Sequence, residues 1–180
     1  GGRRLLEQTT LPGSSFQGAD GKQDDAAPSV DWQGLQEAGD VRHTEDANDK
    51  DTAFTGGSKE DEPGLWDFTD EDGGVRPGKA NIRDAWSAVD QDGADTFVYL
   101  AFARDSALSL RQGGTTFLTF ELNHDARLWN NGHAMIPCRR TGDILISYEP
   151  HGTGVEVFVQ RWISTEDDLA TSCSVRGHLD

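Results

Sequence analysis

Asp20 and Asp24 lie in the turn Gly18-Ala19-Asp20-Gly21-Lys22-Gln23-Asp24-Asp25, and Asp31 follows just before Trp32. Carboxylates interleaved with glycine are the raw material of a calcium site. That hard cation takes oxygens from carboxylates, amides and backbone carbonyls, and glycine lets the backbone curl until its carbonyls face inward. Asp46-Ala47-Asn48-Asp49-Lys50-Asp51 and Asp90-Gln91-Asp92-Gly93-Ala94-Asp95 have similar oxygen density. Neither is an EF-hand loop. In the second, glycine comes fourth rather than sixth, and Ala101 stands where the bidentate glutamate belongs. A further acidic run, Lys59-Glu60-Asp61-Glu62, is partly neutralised by its own lysine. The candidate metal ligands are therefore Asp20, Asp24, Asp31, Glu60, Asp61 and Glu121, with Ca2+ as the ion they suit. The plainer reading of the same residues is a solvated, solubilising surface.

Covalent and metal-hydrolytic chemistry has less to work with. His43, His124, His133, His151 and His178 form no HExxH pattern and no close pair that zinc would use. There is no GxSxG elbow and no phosphate-binding glycine loop. Cys138 and Cys173, the only cysteines, stand 35 positions apart, too few for a zinc site and wrongly spaced for a redox motif. A disulfide is the favoured state for such a pair in an acidic, exported domain. With 32 acidic residues, a carboxylate pair suited to glycoside hydrolysis can be picked out anywhere, so a hydrolase ranks last. The reading leans away from an enzyme. Five tryptophans raise a carbohydrate-binding alternative, because an exposed indole offers a flat face to a sugar ring. Trp129 and Asn130, in Leu128-Trp129-Asn130-Asn131-Gly132, together with Trp66, are its candidates.

The formal net charge is −16 and unevenly placed. Residues 1–95 hold 22 Asp and Glu against 9 Lys and Arg, whereas residues 96–180 hold 10 against 7. Such a field repels nucleic acid and anionic lipid, so neither is an expected partner. No run approaches the ~18 apolar residues of a membrane-spanning helix, and direct membrane insertion is not expected. The chain begins without Met, as a mature or excised piece of a longer precursor would.

These residues must be positioned by a β-rich framework. A length of 180 residues with 34% hydrophobic content and 21 glycines suits one domain of strands and polar loops. Residues 1–15 read as a flexible lead-in and 16–180 as a single domain. The second half is the more regular. Residues 96–103, 115–122, 142–149 and 155–162 carry β-branched and aromatic residues in alternation, separated by glycine-rich turns. Residues 16–19 and 28–32 read as short strand fragments and 36–57 as a long loop. Residues 79–89 suit a short helix or an irregular strand equally. With no crossover helices between the strands, the expected fold is all-β: an antiparallel, jelly-roll-like β-sandwich with long acidic loops.

Several segments also carry a resemblance. Phe16-Gln17-Gly18-Ala19-Asp20-Gly21, Asp31-Trp32, Gly57-Ser58-Lys59-Glu60-Asp61, Asp95-Thr96-Phe97-Val98-Tyr99-Leu100-Ala101, Thr119-Phe120-Glu121-Leu122-Asn123 and Gly142-Asp143-Ile144-Leu145-Ile146-Ser147-Tyr148 are the segments concerned. Over roughly residues 16–178 the chain resembles a poorly characterised family of secreted bacterial, notably actinobacterial, cell-surface modules. These modules often precede prealbumin-like or repeat domains. The resemblance implies secretion or surface display. The expected function is an extracellular structural or adhesive module, calcium-stabilised and without catalysis. Its expected partners are a cell-surface glycan or protein, or neighbouring domains of a longer chain.

Overall fold

In the computed structural model, the residues described are Ser14, Phe16, Gln17, 30–46, 53–56, 61–69, 82–92, 94–104, 118–151 and 154–180. Their regular structure is dominated by antiparallel strands with little helix, as the patterning predicts. The chain divides into two compact units, one built from residues 1–46 with 82–103 and the other from 47–81 with 104–180. Each is described by itself.

The first unit contains helix α1 (Trp32–Ala38) and strands β1 (Val41–Glu45), β4 (Ile82–Asp92) and β5 (Asp95–Arg104), in sheet order β1-β4-β5. The helix lies where a strand fragment and the start of a loop were expected. Asp31 starts it, its carboxylate accepting from the Trp32 amide at 2.6 Å. Gly39 stops it in the left-handed region, at φ +81°, with its N–H returned to the Gln36 carbonyl. Strand β1 also replaces part of the expected loop and pairs antiparallel with β4 from Val41↔Ala88 to Glu45↔Asp84. The ambiguous stretch around residue 85 is therefore a strand. Phe16 meets Trp32 edge-on at 5.0 Å and Tyr99 at 4.1 Å, and these rings with Ala88 form the unit's core. At the sheet edge His43 stacks on Trp86 and bonds Asp84 at 3.0 Å.

The second unit holds a four-stranded sheet, β11-β10-β9-β6, made of β6 (Leu118–Leu122), β9 (Ile144–His151), β10 (Gly154–Asp167) and β11 (Ser174–Leu179). Two short antiparallel pairs accompany it: β2 (Ala53–Thr55) with β3 (Asp67–Thr69), and β7 (Leu128–Asn130) with β8 (Met135–Pro137). A 3-10 turn, Pro63–Leu65, precedes Trp66. In the register, Glu121 lies opposite Leu145, and Phe120 lies opposite Ile146. Neighbours across strands share a face, so Glu121 sits on the same face as Leu145, which is 2% exposed. Trp66, Trp129, Ile136 and the cystine form a core cluster.

Cys138 and Cys173 are bonded, with Cα atoms 5.0 Å apart. The bridge joins the residue after β8 to the residue before β11, so it closes around the β9–β10 hairpin as expected. Among the described residues no helix is long and apolar enough to cross a membrane.

Candidate functional site

The densest polar chemistry in the second unit gathers around Arg139. This residue follows the bridged Cys138, and its carbonyl accepts from the Ser174 amide at 2.9 Å, beside Cys173. The disulfide and this bond fix the backbone from which the side chain departs. Its guanidinium lies between two indoles, 4.7 Å from the centre of Trp66 and 4.6 Å from that of Trp162. The side chain is 2% exposed, and its Nε is 3.2 Å from each Glu121 oxygen. A terminal nitrogen also donates to Oε1. A buried cation is costly unless paired. Here the carboxylate supplies the opposite charge and two ring faces supply their negative quadrupoles.

Each wall of this sandwich has its own support. Trp162 is fully buried, and Gly177 crosses beneath its ring on β11. A Cβ at Gly177 would fall 2.4 Å from the ring and 2.4 Å from the Ile163 carbonyl oxygen, so the strand comes this close only with glycine there. Trp66 is held by Asn131, whose amide nitrogen donates to the Pro63 and Trp66 carbonyls at 3.1 and 2.7 Å. The Asn131 oxygen accepts from the His133 and Ala134 amides, closing the β7–β8 turn.

A second carboxylate anchors the adjoining loops. Asp143 is completely buried, accepting from the His124 amide and ring Nδ1, each at 2.8 Å, and from the Arg140 amide at 2.7 Å. The imidazole is 68% exposed. Asp125 lies between two guanidiniums, with Arg127 at 2.7 Å and Arg140 at 2.8 Å. The side-chain bond from Arg127, followed by that residue's backbone bond, holds the Asp125 carboxyl far below its usual range. Thr171, through its hydroxyl and then its amide, lowers Asp168, and bonds from Arg83 and then His43 lower Asp84.

All three shifts have the same sign, which sets a pH dependence. A carboxyl with a depressed folded-state value binds fewer protons folded than unfolded, so its stabilisation is present above the ordinary value and lost as pH falls below it. The melting temperature is expected to be flat near neutrality and to fall once pH drops below the ordinary carboxyl value of 3.8. An Asp125→Asn variant should melt lower at neutral pH and show a shallower acid fall. Parallel curves for the two proteins would contradict this assignment.

Of the candidate ligands, Asp20, Asp24 and Glu60 lie outside the described residues. Asp31 is buried in the first unit and caps α1. Asp61 sits exposed in a turn of the second unit, its carbonyl accepting from the Gly177 amide at 2.9 Å. Glu121 is engaged through both oxygens by Arg139. Among the described residues no group of three or more His, Cys, Asp or Glu side chains is placed to hold a metal ion. Trp66 and Trp129, the candidates of the carbohydrate-binding alternative, are 4% and 8% exposed. Both belong to the core around the cystine, and Trp66 has given one ring face to Arg139. Asn130 is exposed, and its side-chain oxygen caps the turn by accepting from the Gly132 amide.

Arg139 itself went unread in the sequence. The available signals were its position after a bridged cysteine and the presence of an ionisable residue on a strand of the same region, and neither signal identifies a partner.

No known protein family, curated protein or solved structure matches this chain.

Proposed function

We propose that this chain is an extracellular structural or adhesive module of a cell surface, working without catalysis. One observation carries the reading: the reactive groups of the site are consumed internally. Glu121 is committed to Arg139, Asp125 to Arg127 and Arg140, Asp143 to His124 and two loop amides, and the two thiols to each other. Groups committed this way hold loops in place. A disulfide buried at 0% and 1% exposure also suits an oxidising, extracytoplasmic setting, since such bonds do not persist in a reducing cytosol. The partners that fit are a surface glycan or protein, or adjacent domains of a longer chain.

Calcium belongs to this reading through the acidic sequences 18–25 and 57–62, where an ion would neutralise a dense carboxylate population. The test has two arms. Melting the protein with calcium at about a hundred times a millimolar-class dissociation constant should raise the transition by an amount that EDTA reverses. Screening chromogenic glycosides and esters should give no turnover. An unshifted melt removes calcium from the proposal. Turnover that disappears in a His124→Ala variant removes the non-catalytic reading.

A further inference from the structure

Residues 123–140 carry three arginines against one carboxylate, Asp125, in a chain of net charge −16. The hairpin of β7 and β8 lies at the centre of this stretch, and its two faces differ. Trp129 pairs with Ile136, and both turn inward to the core around the cystine. The pairs Leu128↔Pro137 and Asn130↔Met135 therefore share the outward face. On it Leu128 is 63% and Met135 53% exposed.

The charges beside this apolar strip are sorted by depth. The Asp125 side chain is 13% exposed, whereas the two guanidiniums it pairs with, Arg127 and Arg140, are 52% and 44% exposed. His124 repeats the arrangement, with its ring open to solvent and its partner Asp143 fully buried. Carboxylates inside and cations outside leave a positive surface. One carboxylate also cannot occupy two guanidiniums. Arg127 spends Nε and Nη2 on Asp125, with Nη2 also donating to the Thr171 carbonyl, and Arg140 spends Nη2. Among the described residues none accepts from Nη1 of Arg127 or from Nε and Nη1 of Arg140. The surface is also held still. Through Thr171, Arg127 ties the hairpin to the turn 168–173, which Asp168 closes by accepting from the Ala170 and Thr171 amides and the Thr171 hydroxyl. The Cys138–Cys173 bridge joins the same two pieces, and the turn carries Leu169, fully exposed. A surface fixed before binding loses little entropy when a partner arrives.

We propose that this face docks an acidic peptide segment of a partner protein, one carrying both carboxylates and apolar side chains. The carboxylates take the spare N–H groups of Arg127 and Arg140, and the apolar side chains lie on Leu128, Met135 and Pro137. Charge complementarity selects an acidic partner at this place, although the chain as a whole repels one. The apolar strip decides between polyanions. Aliphatic and thioether side chains suit the apolar groups of a peptide, whereas a sugar ring stacks on an exposed indole, and Trp66 and Trp129 are inside. The inference rests on the reading above that this chain works by binding, and it narrows the partner named there.

The experiment titrates the whole chain into a fluorescein-labelled peptide alternating glutamate with leucine, followed by anisotropy, with a polyuronate as anionic-glycan competitor. Saturable binding is expected, and because the net charge of the protein repels this peptide, binding reports the local surface. Arg140→Gln should weaken it about tenfold, the scale of one charge-assisted contact. Leu128→Ser should weaken it severalfold, and Arg42→Gln, at an exposed arginine on β1 of the first unit, should leave it unchanged. Leu128→Ser alters no ion pair, so it keeps the test sound if Arg140→Gln melts lower. A wild type that shows no saturable binding overturns the proposal, as does binding that survives both variants. A polyuronate that displaces the peptide at equal carboxylate concentration overturns the peptide assignment and gives the face to a glycan. Sedimentation equilibrium of the chain alone supplies the remaining outcome: a dimer that Arg140→Gln dissociates overturns it in favour of a second copy. None of these results bears on calcium-dependent melting or on turnover, so failure here is distinct from failure of the reading above.

Discussion

Replacing Arg139 with methionine is expected to lower stability by ~3–5 kcal/mol, the range for removing one partner of a buried ion pair. For a chain of this size that corresponds to a fall in melting temperature of about 10 °C. Two losses add. Glu121, 18% exposed, keeps its charge without the guanidinium that held it. The indoles of Trp66 and Trp162 lose the planar group between them, and a thioether fills that slot without charge or hydrogen bonds. The informative experiment adds Glu121→Leu to Arg139→Met. If the cost of the single change comes mainly from a stranded carboxylate, the double variant regains most of the lost stability. If the cost comes from packing of the indoles, it regains little. Urea denaturation followed by tryptophan emission measures both, because two of the reporters are the walls of the sandwich. A single variant as stable as the wild type would show that the sandwich contributes nothing.

The second large effect is expected from the disulfide. Opening a bridge across a sequence separation of 35 removes about 4 kcal/mol of loop-closure stabilisation in the chain-entropy account. The location adds to this, since both half-cystines belong to the core cluster with Trp66, Trp129 and Ile136. A Cys138→Ala, Cys173→Ala variant should therefore lose more than the loop term alone. A kinetic signature accompanies the loss. The half-cystines are 0% and 1% exposed, so a small thiol reagent reaches them only after local or global opening. Dithiothreitol should leave the native protein oxidised and reduce it quickly in denaturant. Rapid reduction under native conditions, measured by thiol titration, would contradict the buried placement.

The long alternating strands were readable because each carries a repeating signal. Residues 142–149 correspond closely to β9 and 96–103 to β5, while 155–162 match the first part of the longer β10. The missed elements lack such a signal. Strand β1 has a single apolar residue, Val41, and four exposed neighbours, since it lies at a sheet edge. Helix α1 has seven residues, too few to establish a period. The short strands β7 and β8 alternate over only three residues each. At the site, Glu121 stood out in sequence as a carboxylate on a strand, yet its role depended on Arg139, 18 positions away. Convergence of that kind comes from the fold, and no local pattern records it. The tryptophans show the same limit: indoles suited to a sugar-binding face are equally suited to a core, and Trp66, Trp129 and Trp162 went inside.

The Arg139 sandwich also bears on the order in which this chain becomes native. Its walls come from Trp66 and Trp162, its counter-charge from Glu121, and its backbone anchor from Ser174 beside Cys173. The first and last of these residues lie more than half the chain apart. A chain emerging from its amino end has Trp66 and Glu121 long before the strand carrying Trp162, and oxidation of Cys138 must await Cys173. The assembly is one of high contact order, in which closure comes at the end and local structure cannot hurry it. Until then the guanidinium and the Trp66 indole remain in water, so the segment carrying Trp162 and Cys173 decides whether the earlier residues settle.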